Sequence, residues 1–328
     1  MWYNVRVLRN RGDSMLKVFK TDPTTKQIVK VRKMTVDTWI ELINPTSDEI
    51  KKVVTKTKVD EDLIRKMLDT EELPRVEQGE NGTLIVIDAP YLEGEEEEHQ
   101  YTTYPLGVII SNNGYVITVT PKKVKVLDDF KNNKVLDFRT AKKTKFLIQI
   151  LYKTASNYLR VLKVVNKEIE EKEKVLKKSM KNEDLIDLLE IEKTLVYFTT
   201  SLKANEVVLD KLSKGTIVDF YDDDKDLLDD AVIENKQAIE MSGIYNNILN
   251  SIKDTYETIA SNNLNNAMKF LAGITIVLSI PTMISSFLGM NIQLGDIMTN
   301  KYGFIIIIVL SLVVSLVIAF LLKKKDML

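Results

Sequence analysis

Apolar and polar positions alternate differently in three successive stretches of the chain. From Trp2 to Thr120 the apolar runs are short and β-branched: Thr83 to Ile87, Leu106 to Ile110 and Tyr115 to Val119 read as strands. Asn112-Asn113-Gly114 between the last two predicts a hairpin turn. Thr46-Ser47-Asp48-Glu49 carries the signature of a capped helix start, and Asp60 to Leu68 that of a second short helix. Residues 1–120 are therefore expected to form an α/β or α+β domain.

After Pro121 the apolar spacing turns helical. Thr140 to Lys178 carries Phe146, Ile150, Ala155, Leu159, Leu162 and Val165 at helical spacing. Glu183 to Leu212 does the same with Leu185, Leu188, Leu195 and Leu202. The pair predicts a helical hairpin within 121–226, broken near Ser179 to Asn182. A third helical stretch starts near Leu227 and meets no proline before Pro281. If continuous to Leu288 it extends roughly 90 Å at 1.5 Å per residue, with a stalk over 227–266. A break at Gly243 into two helices is the alternative, although a glycine there costs only about 1 kcal/mol.

The last stretch is almost free of charge. No Asp, Glu, Lys or Arg occurs between Lys269 and Asp296, so 267–291 is expected to hold a first membrane span. Gly303 to Leu322 is a second uncharged run, of the length that crosses a bilayer core. The connection 292–302 is short, so the spans form a hairpin with both ends on one side. Lys323, Lys324 and Lys325 place that side in the cytoplasm by the positive-inside bias, a solvated tail being their other reading. The start MWYNVRVLRNRGD lacks the apolar core of a signal peptide. The expected location is the plasma membrane, with both termini and the bulk of the chain cytoplasmic. The Asn81-Gly82-Thr83 sequon and the Arg11-Gly12-Asp13 tripeptide then carry no meaning.

Composition narrows the chemistry. Lys+Arg 46 against Asp+Glu 47 leaves a net charge of -1, with no global field to draw nucleic acid. Cys 0 and His 1 exclude disulfides, thiolate nucleophiles and His- or Cys-based metal cages. No Walker or dinucleotide-binding glycine pattern is present, so no nucleotide-driven pump, no organic cofactor and no enzyme are expected. Lone His99 beside Glu95 to Glu98 reads as a surface residue. The run Asp222, Asp223, Asp224, Asp226, Asp229, Asp230 fails the EF-hand pattern, because the sixth position is Leu227 and the twelfth Ile233. It remains either a solvated linker or a divalent-cation site.

Thr275, Ser279, Thr282 and Ser286 recur at spacings of 4, 3 and 4 and share one face of the first span. Leu271, Met268 and Asn265 continue that face toward the cytoplasm. Small hydroxyls in a stripe suit a water-filled pore and equally suit close helix packing. The next turn is Gly289-Met290-Asn291. Here the chain resembles the CorA family of divalent-cation channels, whose signature is a Gly-Met-Asn triplet closing the first of two C-terminal spans. Pro281 and Thr282 in the span, and Trp39-Ile40-Glu41-Leu42 with Asn44-Pro45-Thr46 near the start, extend the resemblance over nearly the whole chain. Two features depart from it: Leu288 stands where Tyr or Phe often precedes the triplet, and a Met-Pro-Glu-Leu loop is absent, leaving Asp296 as the loop's acid.

The resemblance implies an α+β cytoplasmic domain, a long helical stalk and two transmembrane helices, assembled as a CorA-like homopentamer in the bilayer. It implies a pore lined by the first span and by Gly289, Met290 and Asn291, with Asp296 at the outer mouth. Asn291 would hold Mg2+ through its water shell, since that ion sheds water reluctantly and an amide lacks the full charge that would trap it. An Asn that merely caps the helix end is the other reading of Asn291. Mg2+ is then both the transported ion, with Co2+ and Ni2+ as further cargo, and a regulator bound by Asp229 and Asp230 facing Glu93 or Glu95 of a neighbouring copy. A zinc transporter of the same superfamily and a membrane-anchored coiled-coil scaffold or sensor are the alternatives.

Overall fold

The computed structural model describes residues 16–93, 100–176, 182–215, 220–290, 302–325 and 327. Glu95 to Glu98, His99, Asn291 and Asp296 lie outside the described residues. The chain forms two compact units, Met1–Asn250 and Ser251–Leu328.

The first unit is built on a seven-stranded sheet. Its strands are β1 (Leu16–Thr21), β2 (Ile28–Val31), β3 (Trp39–Ile43), β4 (Arg75–Gln78), β5 (Gly82–Glu93), β6 (Gln100–Ser111) and β7 (Val116–Thr120). They lie in the order β2-β1-β3-β7-β6-β5-β4, antiparallel throughout except for the parallel pair β3 and β7. Side chains alternate across the sheet with period two. Trp39, Ile85, Ile87 and Val116 therefore enter one core, and Ile40, Leu42, Leu84, Val86 and Ile117 the other.

Helices α1 (Ser47–Thr57) and α2 (Glu61–Lys66) cover the second core with Ile50, Val53, Leu63, Ile64 and Met67. The turn from β3 into α1 is local chemistry. Asn44 adopts φ 42, a left-handed conformation that asparagine tolerates. Thr46 then closes a capping box: its hydroxyl accepts from the Glu49 N–H at 3.3 Å, and Glu49 accepts from the Thr46 N–H at 2.9 Å. The expected hairpin turn at Asn112-Asn113-Gly114 is present, with Gly114 at φ 89.

The opposite face carries α3 (Val126–Lys131), α4 (Lys143–Leu176) and α5 (Asn182–Ser213). Trp39 is fully buried among Phe19, Phe130, Phe138 and Phe146, and its indole N–H donates to Thr118 Oγ1 at 2.8 Å. Beside it Lys131 reaches the buried Glu41 at 2.6 Å. Helix α5 docks on the sheet through Thr194 donating to the Tyr101 carbonyl at 3.0 Å and Ser201 to Thr103 Oγ1 at 2.9 Å.

Helix α6 (Asp222–Leu288) is continuous over 67 residues and runs through both units. It begins five residues before the expected start near Leu227 and does not break at Gly243. Aspartates in a first turn complement the positive end of the helix dipole, so the acidic run starts the helix rather than linking to it. In the first unit α6 packs on α5, where Asn235 donates to the Leu202 carbonyl at 3.0 Å and the Thr199 and Ser242 hydroxyls meet at 2.8 Å.

Candidate ion-conduction site

The second unit holds the end of α6 and the helix α7 (Gly303–Lys324). Both are long and apolar enough to cross a membrane, and their most apolar windows are only 6% and 11% buried. That exposure separates them from the core helices of a soluble domain.

Each residue advances roughly 100° around a helix. The less exposed positions of α6, namely Gly273, Ile274, Val277, Ile280, Pro281, Ile284 and Leu288, gather on one side. A cleft between the two helices opens on that side, lined by Leu288 and Ser285 of α6 and by Gly303, Ile307 and Ser311 of α7. The hydroxyl stripe lies nearly opposite. Thr275, Ser279, Thr282 and Ser286 line a shallow groove together with Leu278, Met283, Phe287 and Met290. Packing within the hairpin thus uses a different face, and the stripe remains uncovered in the single chain.

Three of the hydroxyls are oriented by their own helix. Thr275 Oγ1 donates to the Leu271 carbonyl at 2.8 Å, Ser279 Oγ to Ile276 at 2.7 Å and Thr282 Oγ1 to Leu278 at 3.2 Å. A hydroxyl whose proton is committed to the backbone presents its oxygen lone pairs outward as acceptors. The face is therefore built to receive hydrogen bonds, as from water. Pro281 lacks the N–H that would reach Val277, yet α6 continues through it, as helices in apolar surroundings do when neighbouring groups adjust.

Toward the first unit the same face continues through Leu271, Met268 and Asn265, all exposed. At the other end the Gly289 N–H donates to the Ser285 carbonyl at 3.0 Å. A Cβ at Gly289 would meet only the carbonyls of Ser285 and Ser286, at 3.5 and 3.6 Å, so nothing described in the chain demands glycine there. Sequence spacing identified the hydroxyls and missed Leu278, Met283 and Phe287 beside them; the angular arithmetic applied to apolar residues recovers these too. Ile307 of α7 lines the cleft between the helices.

Among the described residues the regulatory candidates Asp229, Asp230 and Glu93 do not form a site within one chain. Asp229 and Asp230 are exposed on α6. Glu93 accepts from the Tyr104 hydroxyl at 2.9 Å. Burial first, then that bond, pushes the Tyr104 phenol up to about 12. Among the described residues no group of three or more His, Cys, Asp or Glu is assembled to hold a metal.

An α+β unit followed by two long apolar helices that the chain itself leaves exposed defines the class as a membrane protein with two C-terminal spans. Residues 37–324 match the family described as CorA-like Mg2+ transporter protein, and the chain belongs to that family. It is a CorA-type membrane transporter of divalent cations, and because the family is one of transporters it is not an enzyme. The cobalt/magnesium transport protein CorA of Methanocaldococcus jannaschii is 28% identical over 296 residues, covering 88% of this chain and 90% of the relative. The magnesium transport protein CorA of Helicobacter pylori is 22% identical over 298 residues, 88% of this chain and 89% of the relative. The complete structure of the M. jannaschii CorA magnesium transporter superposes with a TM-score of 0.82 at 26% identity, covering 94% of this chain and 96% of that one.

Proposed function

We propose that this chain is a channel-type magnesium uptake protein of the plasma membrane, with Co2+ and Ni2+ as further cargo. Both termini lie in the cytoplasm, and five copies surround one pore lined by α6. The observation that carries the reading is the hydroxyl stripe standing opposite the face shared with α7. Acceptor oxygens in a row can pass a magnesium ion inside its water shell, because the shell's protons are what they meet. One stripe encloses nothing, so several copies must close around an axis, and cyclic symmetry is the ordinary solution.

Two further features support assembly. From Glu257 to Ala272 every residue of α6 is exposed in the single chain, including Leu264, Met268, Phe270 and Leu271. Nothing among the described residues requires glycine at 289, which fits a close approach of neighbouring copies at the triplet. Asn291 would complete the path as a ring of amides, with Asp296 beyond it. Cytosolic magnesium bound between copies by Asp229, Asp230, Glu93 and Glu95 would hold the ring closed, converting repulsion between acids into attachment.

Flux of magnesium, cobalt and zinc into liposomes bearing the purified chain tests the reading. Magnesium should enter faster than zinc, Asn291→Ala should remove most of that flux with assembly retained, and exposed Leu316→Ala on α7 should change it little. No flux of any ion would point to a scaffold, and zinc as the preferred ion would overturn the assignment of cargo.

A further inference from the structure

Lysines from both membrane helices stand at one end of the second unit. Ser285 of α6 and Ile307 of α7 line one cleft, and Gly273 and Ser315 are buried further along, so the helices pack as an antiparallel pair. Lys269 stands sixteen residues before Ser285 and Lys323 sixteen after Ile307. At 1.5 Å per residue both are roughly 24 Å from the cleft, which puts them at one level. Lys324 and Lys325 follow, and the Lys325 N–H still donates to the Leu322 carbonyl at 3.0 Å, so the chain is wound as far as that residue. At roughly 100° per residue Lys269 is about a quarter turn from the side of α6 that faces α7, and Lys325 is turned in the same sense on its own helix. Rotations of one sense bring antiparallel helices to a common side. Lys324 falls on the far side of α7, opposite the buried Ser311 and Ser315.

Among the described residues no carboxylate answers this charge: none of Lys269, Lys323, Lys324 and Lys325 takes part in an ion pair there. The acid that precedes Lys269 on α6 is Glu257, twelve residues and roughly 18 Å away. That exceeds the ~8 Å screening length of physiological salt. Helix α7 carries no acid, and Asp326, outside the described residues, sets one negative charge against four positive. Next to Lys325 the exposed Leu321, Val317 and Leu310 form an apolar strip at helical spacing. We propose that an anionic phospholipid occupies this side of the hairpin, its phosphate between Lys269 and Lys325 and an acyl chain along that strip. Packed helices lie about 8–10 Å apart, a gap that two lysine side chains span from either side. Orientation in the bilayer asks only for an excess of lysines at this end. A cation from each helix on one side, bordering an apolar strip, is the arrangement that recognises a charged headgroup.

The inference rests on the bilayer placement proposed above and not on conduction, and its test reads no flux, so a failed pore and a failed lipid site are told apart. The full chain in detergent, in ammonium acetate at roughly 0.15 M to screen diffuse attraction, is titrated with dioleoyl-phosphatidylglycerol or dioleoyl-phosphatidylcholine. Native mass spectrometry counts the bound lipid. Phosphatidylglycerol should bind in preference and saturate. Lys269→Gln and Lys325→Gln should each weaken it about fivefold, the loss expected for one basic residue at a membrane surface. Lys269→Arg should retain it, and Lys324→Gln, on the far side of α7, should weaken it less than Lys325→Gln. Soluble glycerol phosphate should not displace the lipid. The proposal is overturned by equal binding of the two lipids or by a preference indifferent to Lys269→Gln and Lys325→Gln. It is equally overturned by Lys324→Gln costing as much as Lys325→Gln, which would leave only diffuse charge, or by displacement with glycerol phosphate, which would make a soluble anion the ligand.

Discussion

Replacing Asp88 by asparagine should make the protein more stable at neutral pH and leave it unchanged in mild acid. Asp88 lies in β5 just beyond the last residue that β4 pairs, so its backbone would be open on that side. Asn205 of α5 fills the place of a strand, accepting from the Asp88 N–H at 2.8 Å and donating to its carbonyl at 2.9 Å. The carboxyl is thereby enclosed against α5. Desolvation raises its pKa from 3.8 to about 6, opposed only by a hydrogen bond involving Ser201. Nearby Tyr158 is fully buried and its own pKa is driven well above 10, so it brings no charge to offset the carboxylate. Because the folded pKa is the higher one, the native state keeps this proton where the unfolded chain has lost it. Stability from this group is present below about pH 4 and is lost as pH rises through about 6. The loss is about 2–3 kcal/mol, the lower figure allowing for some solvent access. Asp88→Asn keeps the shape and removes the titration. At pH 7.5 the melting temperature should rise by about 4–12 °C, at roughly 2–4 °C per kcal/mol for a unit of this size. At pH 4 wild type and variant should melt together or nearly so. Tryptophan fluorescence of the detergent-solubilised chain reads this out, since Trp39 is buried in the same unit. A variant that melts at or below wild type at pH 7.5, or a difference independent of pH, would refute the reasoning.

Lys131→Met should destabilise the first unit by about 3–5 kcal/mol, because it strands the buried Glu41 carboxylate; adding Glu41→Gln should recover much of the loss in chemical denaturation. Gly82→Ala should lower the denaturation midpoint by about 1–3 kcal/mol, since its Cβ would stand 2.8 Å from the Ile110 carbonyl oxygen across the β5–β6 pair. Gly243→Ala should do the opposite by about 0.5–1 kcal/mol, as α6 offers open space there. Asn205→Leu should cost about 2–4 kcal/mol by leaving both backbone groups of Asp88 unpaired, and hydrogen exchange should quicken at Asp88 and its neighbours.

What could be read along the chain is what depends on near neighbours. The capping box at Thr46 and Glu49, the turn at Gly114 and the two uncharged spans involve residues within a few positions of one another or a composition that stands by itself. The stripe of Thr275, Ser279, Thr282 and Ser286 was visible for the same reason: helical periodicity puts it on one face whatever surrounds the helix. The short strands β1, β2 and β4 were not visible, because polar residues interrupt them and their partners lie elsewhere in the chain. The start of α6 at Asp222, five residues before Leu227, is not legible either, because an acidic run carries no apolar periodicity. Only the folded chain decided that the stripe is opposite the side α7 covers, that Lys131 meets Glu41 over 90 positions, and that Asp88 is sealed by a residue 117 positions away. Burial and charge pairing are properties of the space between elements, and a linear pattern does not contain the distances that set them.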